Sequence, residues 1–116
     1  MITLYGIGNC DTIKKTRRWL DQHQHDYQFH DYKKLGCDAE LAAIFLARFE
    51  LDEVINKRGT TWRKLPETVK NSLDSDSAAE LMIENHSIIK RPILKIGKQW
   101  VLGYDEKKWQ ALIKES

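Results

Sequence analysis

Cysteine is scarce in this 116-residue chain, which has two, Cys10 and Cys37. Met1–Tyr5 shows neither a basic segment ahead of an apolar run nor a small-residue cleavage site, so the expected location is the cytoplasm. Thiols there stay reduced, which makes a structural disulfide a poor explanation of the pair. A Cys-x-x-Cys motif is also missing. Ile13 stands where its second cysteine would be, excluding a disulfide across the first helical turn. Nowhere do about 18 apolar residues run together, so no membrane-spanning helix is expected. Charge of one sign is not in excess: 19 basic and 17 acidic residues give +2, spread along the chain. That argues against a nucleic-acid or membrane surface and leaves room for a small anionic ligand. There is no linker, low-complexity tract or internal repeat.

What is present is an ordinary globular composition, 41% apolar and 31% charged, in a chain long enough for one core. A single domain over 1–116 is expected, with nothing that calls for more than a monomer. Ile2–Ile7 reads as a first strand, closed by Gly8 and Asn9. From Asp11 to about His23 a helix follows, with Ile13, Thr16, Arg17, Leu20 and Gln24 on one face. Tyr27–Tyr32 alternates aromatic and polar residues as a half-buried strand does. Strand, helix and strand make a βαβ unit with parallel strands and a right-handed crossover.

Between about 38 and 88 the spacing turns helical, with Leu41, Ile44, Phe45 and Phe49 and later Ala78, Leu81 and Met82, and Pro66 opening a short helix. Pro92–Ile96 and Gln99–Leu102 form a hairpin across Gly97-Lys98. Asp105 caps a last helix carrying Trp109, Leu112 and Ile113 on one face. The order β-α-β, helical insertion, β-β-α predicts an α/β protein with a thioredoxin-like mixed four-stranded sheet.

Cys10 falls between a strand end and a helix start, where unpaired amides and the positive end of the helix dipole favour thiolate. A free thiol of pKa about 8.5 is only ~3% ionised at neutral pH, and nucleophilic attack needs the ionised form. Asp11 and Thr12 lie in the first turn, where carboxylate and hydroxyl groups cap amides and would compete with the thiolate. Lys14 and Lys15 partly offset that. The other reading of Cys10 is a small buried hydrophobe, as most free cysteines are.

Tyr5-Gly-Ile-Gly-Asn-Cys-Asp-Thr-Ile-Lys-Lys15, Lys90-Arg-Pro-Ile-Leu94, Asn56-Lys-Arg-Gly-Thr-Thr-Trp-Arg63 and Gly103-Tyr104 together resemble the arsenate reductase family of thioredoxin-like proteins, which includes the Spx regulators. Across essentially the whole chain the sequence is most similar to the YffB-type branch. The resemblance implies a nucleophilic Cys10, with Arg91 beside it to grip an oxyanion or carboxylate, and Pro92 in the cis form ahead of the third strand. Asn9, Thr12 and Arg58 complete the substrate-binding set. In the arsenate enzymes one arginine sits earlier in the Asn56–Arg63 segment, where this chain has Asn56, so that Arg58 would act from a shifted position. A further arginine has no counterpart around Leu102–Tyr104.

These departures turn the expectation from arsenate reduction toward a glutathione-dependent thiol–disulfide reductase. Glutathione is then a co-substrate, glutaredoxin a possible partner, and no cofactor or metal is bound. Arsenate reductase and an Spx-like RNA polymerase-binding regulator are the alternatives. Ile13 weighs against the latter, because the Spx redox switch uses a Cys-x-x-Cys pair.

Cys37, a few residues past the second strand, would share the sheet edge of Cys10, but a solvent-facing or helix-start cysteine without a redox role is the favoured reading. His23 and His25 have no obvious third ligand for zinc. His30 and His86 are read as structural or solvated. Trp62, Trp100 and Trp109 are read as packing residues, and the basic residues of 57–64 as solvated loop charges.

Overall fold

A computed structural model describes residues 1–115. In chain order the elements are β1 (Ile2–Gly6), α1 (Asp11–Gln22), β2 (Gln28–Asp31), α2 (Tyr32–Leu35), α3 (Ala39–Arg48), α4 (Leu51–Val54), α5 (Thr60–Arg63), α6 (Glu67–Asn71), α7 (Ser75–Glu84), a 3₁₀ turn (His86–Ile88), β3 (Ile93–Ile96), β4 (Gln99–Leu102) and α8 (Glu106–Glu115). They group into two compact units, Met1–Leu35 with Arg91–Ser116, and Gly36–Lys90.

The first unit holds the sheet, in the order β2-β1-β3-β4. β1 runs parallel to β2 and antiparallel to β3, and β3 is antiparallel to β4. This is the thioredoxin-like fold. The register sets Leu4 opposite Leu94 and Ile2 opposite Ile96, with Val101 opposite Leu94. One face of the sheet is therefore continuously aliphatic. Ile13, Trp19 and Leu20 of α1 and Trp109 of α8 share the core with it. Each such side chain contributes roughly 1.5–3 kcal/mol on burial, before chain entropy is counted. The hairpin turns at Gly97, whose φ of +61° suits glycine. Asp105 accepts from the Lys108 amide at 3.1 Å, as a cap does.

Three local expectations change. Arg17 and Gln24 are exposed and leave the inner face of α1 to Trp19, which is buried. Arg17 instead donates from Nε to the Tyr27 hydroxyl at 3.0 Å. The second strand is shorter than Tyr27–Tyr32, because Tyr32 starts the one-turn helix α2 and is buried there. In α3, Ala42 and Phe45 are buried, whereas Leu41, Ile44 and the C-cap Phe49 are only half-buried. Alanine is the side chain that lets another helix approach closely at such a position.

The second unit is helical. Its buried side chains include Ala42, Phe45, Val54, Ile55, Ala78, Met82, Ile88 and Ile89. Asp38 and Asp74 cap α3 and α7 through their carboxylates, and Asp74 and Ser77 complete a reciprocal capping box. Pro66 is the N-cap of α6. The segment after α4 is tied to the C-terminal end of the unit by the Asn56 N–H to the Ile88 carbonyl, 2.7 Å, and by the Lys90 N–H to the Val54 carbonyl, 2.8 Å. No helix among the described residues is long and apolar enough to cross a membrane.

Candidate active site

Cys10 is the N-cap of α1, in extended conformation at φ −87° and ψ 130°. Its N–H donates to the Ile7 carbonyl at 3.3 Å, closing a turn over Gly8 and Asn9, and its carbonyl accepts the Lys14 N–H at 2.9 Å. Gly6 sets how closely the helix approaches the strand. A Cβ there would lie 2.3 Å from Ile13 Cδ1, so Ile13 occupies the space that any other residue at the end of β1 would need. Ile13, which excludes a second cysteine, is thus also the packing residue that holds the first turn against the sheet.

Among the described residues no side-chain oxygen caps this helix end. The expected competition from Asp11 and Thr12 oxygens is not seen, and the orphan amides remain for sulfur. Burial pushes the half-exposed Cys10 thiol up. The Ile13 amide, a hydrogen bond from the Arg91 side chain, the Thr12 amide and the Arg91 charge together outweigh that and hold the thiol below its ordinary range. A neutral thiol is a poor hydrogen-bond acceptor and a thiolate a good one. These donors are therefore worth most once the proton has gone.

Arg91 is half-buried and precedes Pro92 through a cis peptide bond, as the resemblance implies. Pro92 is buried, and its carbonyl accepts the Gly103 N–H at 2.8 Å. The start of β3 and the end of β4 are tied together at that point. Asn9 is exposed in the turn, and Thr12 is half-buried with its carbonyl accepting the Thr16 hydroxyl at 2.8 Å. Within the sheet-bearing unit the fold thus brings Cys10, Thr12 and Arg91 together. Arg58 belongs to the helical unit, exposed in a turn where its N–H donates to Asn56 Oδ1 at 3.2 Å.

Cys37 is of the opposite kind. It is 4% exposed, and burial, with the Asp38 charge, pushes its thiol up to about 11. Such a thiol is almost wholly protonated at neutral pH. The described residues hold no group of three or more His, Cys, Asp or Glu that could bind a metal ion.

One contact could not be read from periodicity: the Lys15 ammonium lies 4.4 Å from the centroid of the Tyr104 ring. Its only signal in the sequence is a basic residue one turn past the nucleophile and an aromatic one just past the last strand.

A thioredoxin-like sheet with one N-cap cysteine under an arginine defines a thiol protein without a paired active-site cysteine. The ArsC family pattern matches residues 5–112, and the chain belongs to the ArsC family. An uncharacterised protein of Haemophilus influenzae is 45% identical over 96% of this chain and 97% of its own length. The solved structure of a YffB protein is 43% identical, covers 97% of this chain and 99% of its own, and superposes with a TM-score of 0.92. The global transcriptional regulator Spx of Streptococcus pyogenes is 27% identical over 97% of this chain and 85% of its own length.

Proposed function

We propose that this chain is a cytoplasmic monothiol reductase that uses Cys10 and glutathione to reduce disulfides, working as one domain with Gly36–Lys90 as a helical insertion. The observation that carries the reading is the Arg91 hydrogen bond to Cys10 beside the Ile13 and Thr12 amides, which together favour a thiolate. In the cycle, the Cys10 thiolate attacks one sulfur of an oxidised substrate, the substrate disulfide breaks, and the departing thiolate takes a proton from solvent. Glutathione thiolate then attacks the substrate sulfur of the Cys10 mixed disulfide, either directly or through glutaredoxin, and Cys10 leaves as the thiolate. A second glutathione thiolate attacks the glutathione sulfur of the resulting substrate–glutathione disulfide, releasing the reduced substrate and glutathione disulfide. Ile13 supports this route, since no second thiol follows in the same turn. Pro92, Asn9, Thr12 and Arg58 are the further substrate-binding residues of the proposal, with the Pro92 segment offering backbone to an extended peptide. Neither a metal nor an organic prosthetic group enters the cycle.

The test is intact mass after exposure to oxidised glutathione. One glutathione on Cys10, lost in Cys10→Ser, is the expected result, together with iodoacetamide alkylation faster at Cys10 than at Cys37. A slow, ordinary thiol at Cys10 overturns the reading. Arsenate reduction is the second reading, supported by family membership, but Asn56 and Leu102–Tyr104 depart from the arsenate enzymes' arginines. Charge-assisted bonds to an oxyanion are worth about 1.5–3 kcal/mol each, so losing two weakens it substantially. Robust arsenite production with glutathione and glutaredoxin would reverse the preference. A polymerase complex that survives Cys10→Ser would instead establish the regulatory reading.

A further inference from the structure

The Lys15–Tyr104 contact lies in the same compact unit as the proposed nucleophile and is linked to it through a short series of bonds. Gly103 is bonded through its N–H to the Pro92 carbonyl, Pro92 follows Arg91, and the Arg91 side chain bonds Cys10. Tyr104, next along the chain, is packed edge-on to Trp109 with ring centroids 4.8 Å apart, so the ring is a fixed platform. The Lys15 ammonium lies over its face. Its hydroxyl donates to Glu106 Oε2, and the Arg18 charge is close enough to act on the phenol. Lys15 and Glu106 are exposed, and among the described residues neither forms an ion pair. One aromatic ring therefore presents a cation on its face and a carboxylate at its hydroxyl, both facing water.

We infer that Lys15, Tyr104 and Glu106 form the recognition site for the free amino-acid end of a thiol peptide, of the γ-glutamyl kind, with its α-carboxylate at Lys15 and its α-ammonium at Glu106. The inference rests on the thiol–disulfide reading and names what distinguishes the substrate. A free amino-acid end carries both charges on one carbon, which matches a cation and an anion set around a single ring. Reach agrees as well. Lys15 is five residues beyond Cys10, about 7 Å along the helix axis, and two extended residues span roughly that distance. A peptide with its sulfur at Cys10 would bring an amino-acid end attached one residue away to the Tyr104 platform. The chemistry is unchanged. Cys10 thiolate attacks one sulfur of glutathione disulfide, that disulfide breaks, one glutathione is released as thiolate and protonated by solvent, and Cys10 is oxidised to the mixed disulfide.

The test compares two disulfides, glutathione disulfide and the uncharged bis(2-hydroxyethyl) disulfide, by the rate at which each adds to Cys10 in intact-mass measurements. The ratio of the two rates cancels any change in thiolate population, because both reagents meet the same Cys10. Lys15→Glu is expected to lower the ratio at least fivefold and Glu106→Gln at least twofold. The loss should fall in the half-saturating concentration of glutathione disulfide rather than in the limiting rate, and added salt should shrink it. Lys98→Glu makes the same charge change in the hairpin turn and serves as the control. A ratio equal in Lys15→Glu and Lys98→Glu overturns the recognition site while leaving the reductase reading in place. Failure of wild-type Cys10 to react with either disulfide removes the reductase reading itself.

Discussion

The Arg91 side chain, from the residue before the cis Pro92, hydrogen-bonds Cys10, from the residue before α1. The two come from opposite ends of the first unit's sequence and meet because β1 and β3 are hydrogen-bonded neighbours in the sheet. The contact adds a guanidinium to an end of α1 that already favours negative charge, so part of the thiol's acidity belongs to the sheet topology and part to the helix.

Arg91→Met tests the share carried by the guanidinium. A charge-assisted bond at a half-exposed sulfur, discounted for solvent, is worth ~1 kcal/mol, or about fivefold in the ionised fraction. Alkylation of Cys10 by iodoacetamide at pH 7 should slow by a factor on the order of five and regain its rate at high pH. An unchanged pH-rate profile would leave the helix amides as the whole cause.

Cys37 should make stability fall in alkali. Its thiol is raised in the folded chain from 9.0 to about 11. Between those values the unfolded chain has lost the proton and the folded chain has kept it, so unfolding is favoured as pH rises. The contribution is intact below pH 9 and is lost toward 11, by up to about 3 kcal/mol. Urea unfolding of wild type and Cys37→Ala should show their stability difference narrowing through that window.

Gly6→Ala should destabilise the chain by about 1–3 kcal/mol, the usual range for overpacking, because its Cβ would meet Ile13 Cδ1 at 2.3 Å. Ile13→Val removes that carbon, so the double variant should recover part of the loss relative to Gly6→Ala in thermal melts. Cys10 alkylation should also change in Gly6→Ala, since the same contact seats the first turn.

Trp109→Ala, which empties the largest fully buried side-chain site, should cost about 3–5 kcal/mol. It should also release Tyr104, which packs on its edge. Denaturant titration reads the first effect, and a weakened preference for glutathione disulfide in the surviving folded protein reads the second.

Ile13→Cys should convert the site to a dithiol. Residues three apart at a helix start lie within the ~7 Å Cα reach of a disulfide. Mild oxidation should then give a product lighter by two hydrogens in place of an accumulating glutathione adduct, with modest loss of stability from the smaller side chain.

Element order, the parallel pairing of the first two strands, the hairpin at Gly97 and the Asp105 cap were legible because each depends on local chemistry: periodicity, turn residues and a short polar side chain at a helix start. Cys10 as a helix-start thiol was legible for the same reason. Trp19 was not, since spacing alone does not say which of two adjacent faces turns inward, and the structure chose the larger side chain over Arg17. Tyr32 likewise continued the alternation of β2 in the sequence but begins a helical turn in the fold.

The sequence by itself therefore determined that one thiol stands at the start of a helix without a second cysteine beside it, and the pattern of strands and helices around it. The resemblance implied Arg91 beside that thiol, and only the tertiary structure decided that the Arg91 side chain hydrogen-bonds it, that Ile13 fills the space above Gly6, that Cys37 is buried and raised, and that Lys15 lies over Tyr104. Each of these joins residues distant in the chain or depends on what surrounds a buried group. Strand pairing and close packing settle such relations, and no local pattern encodes them.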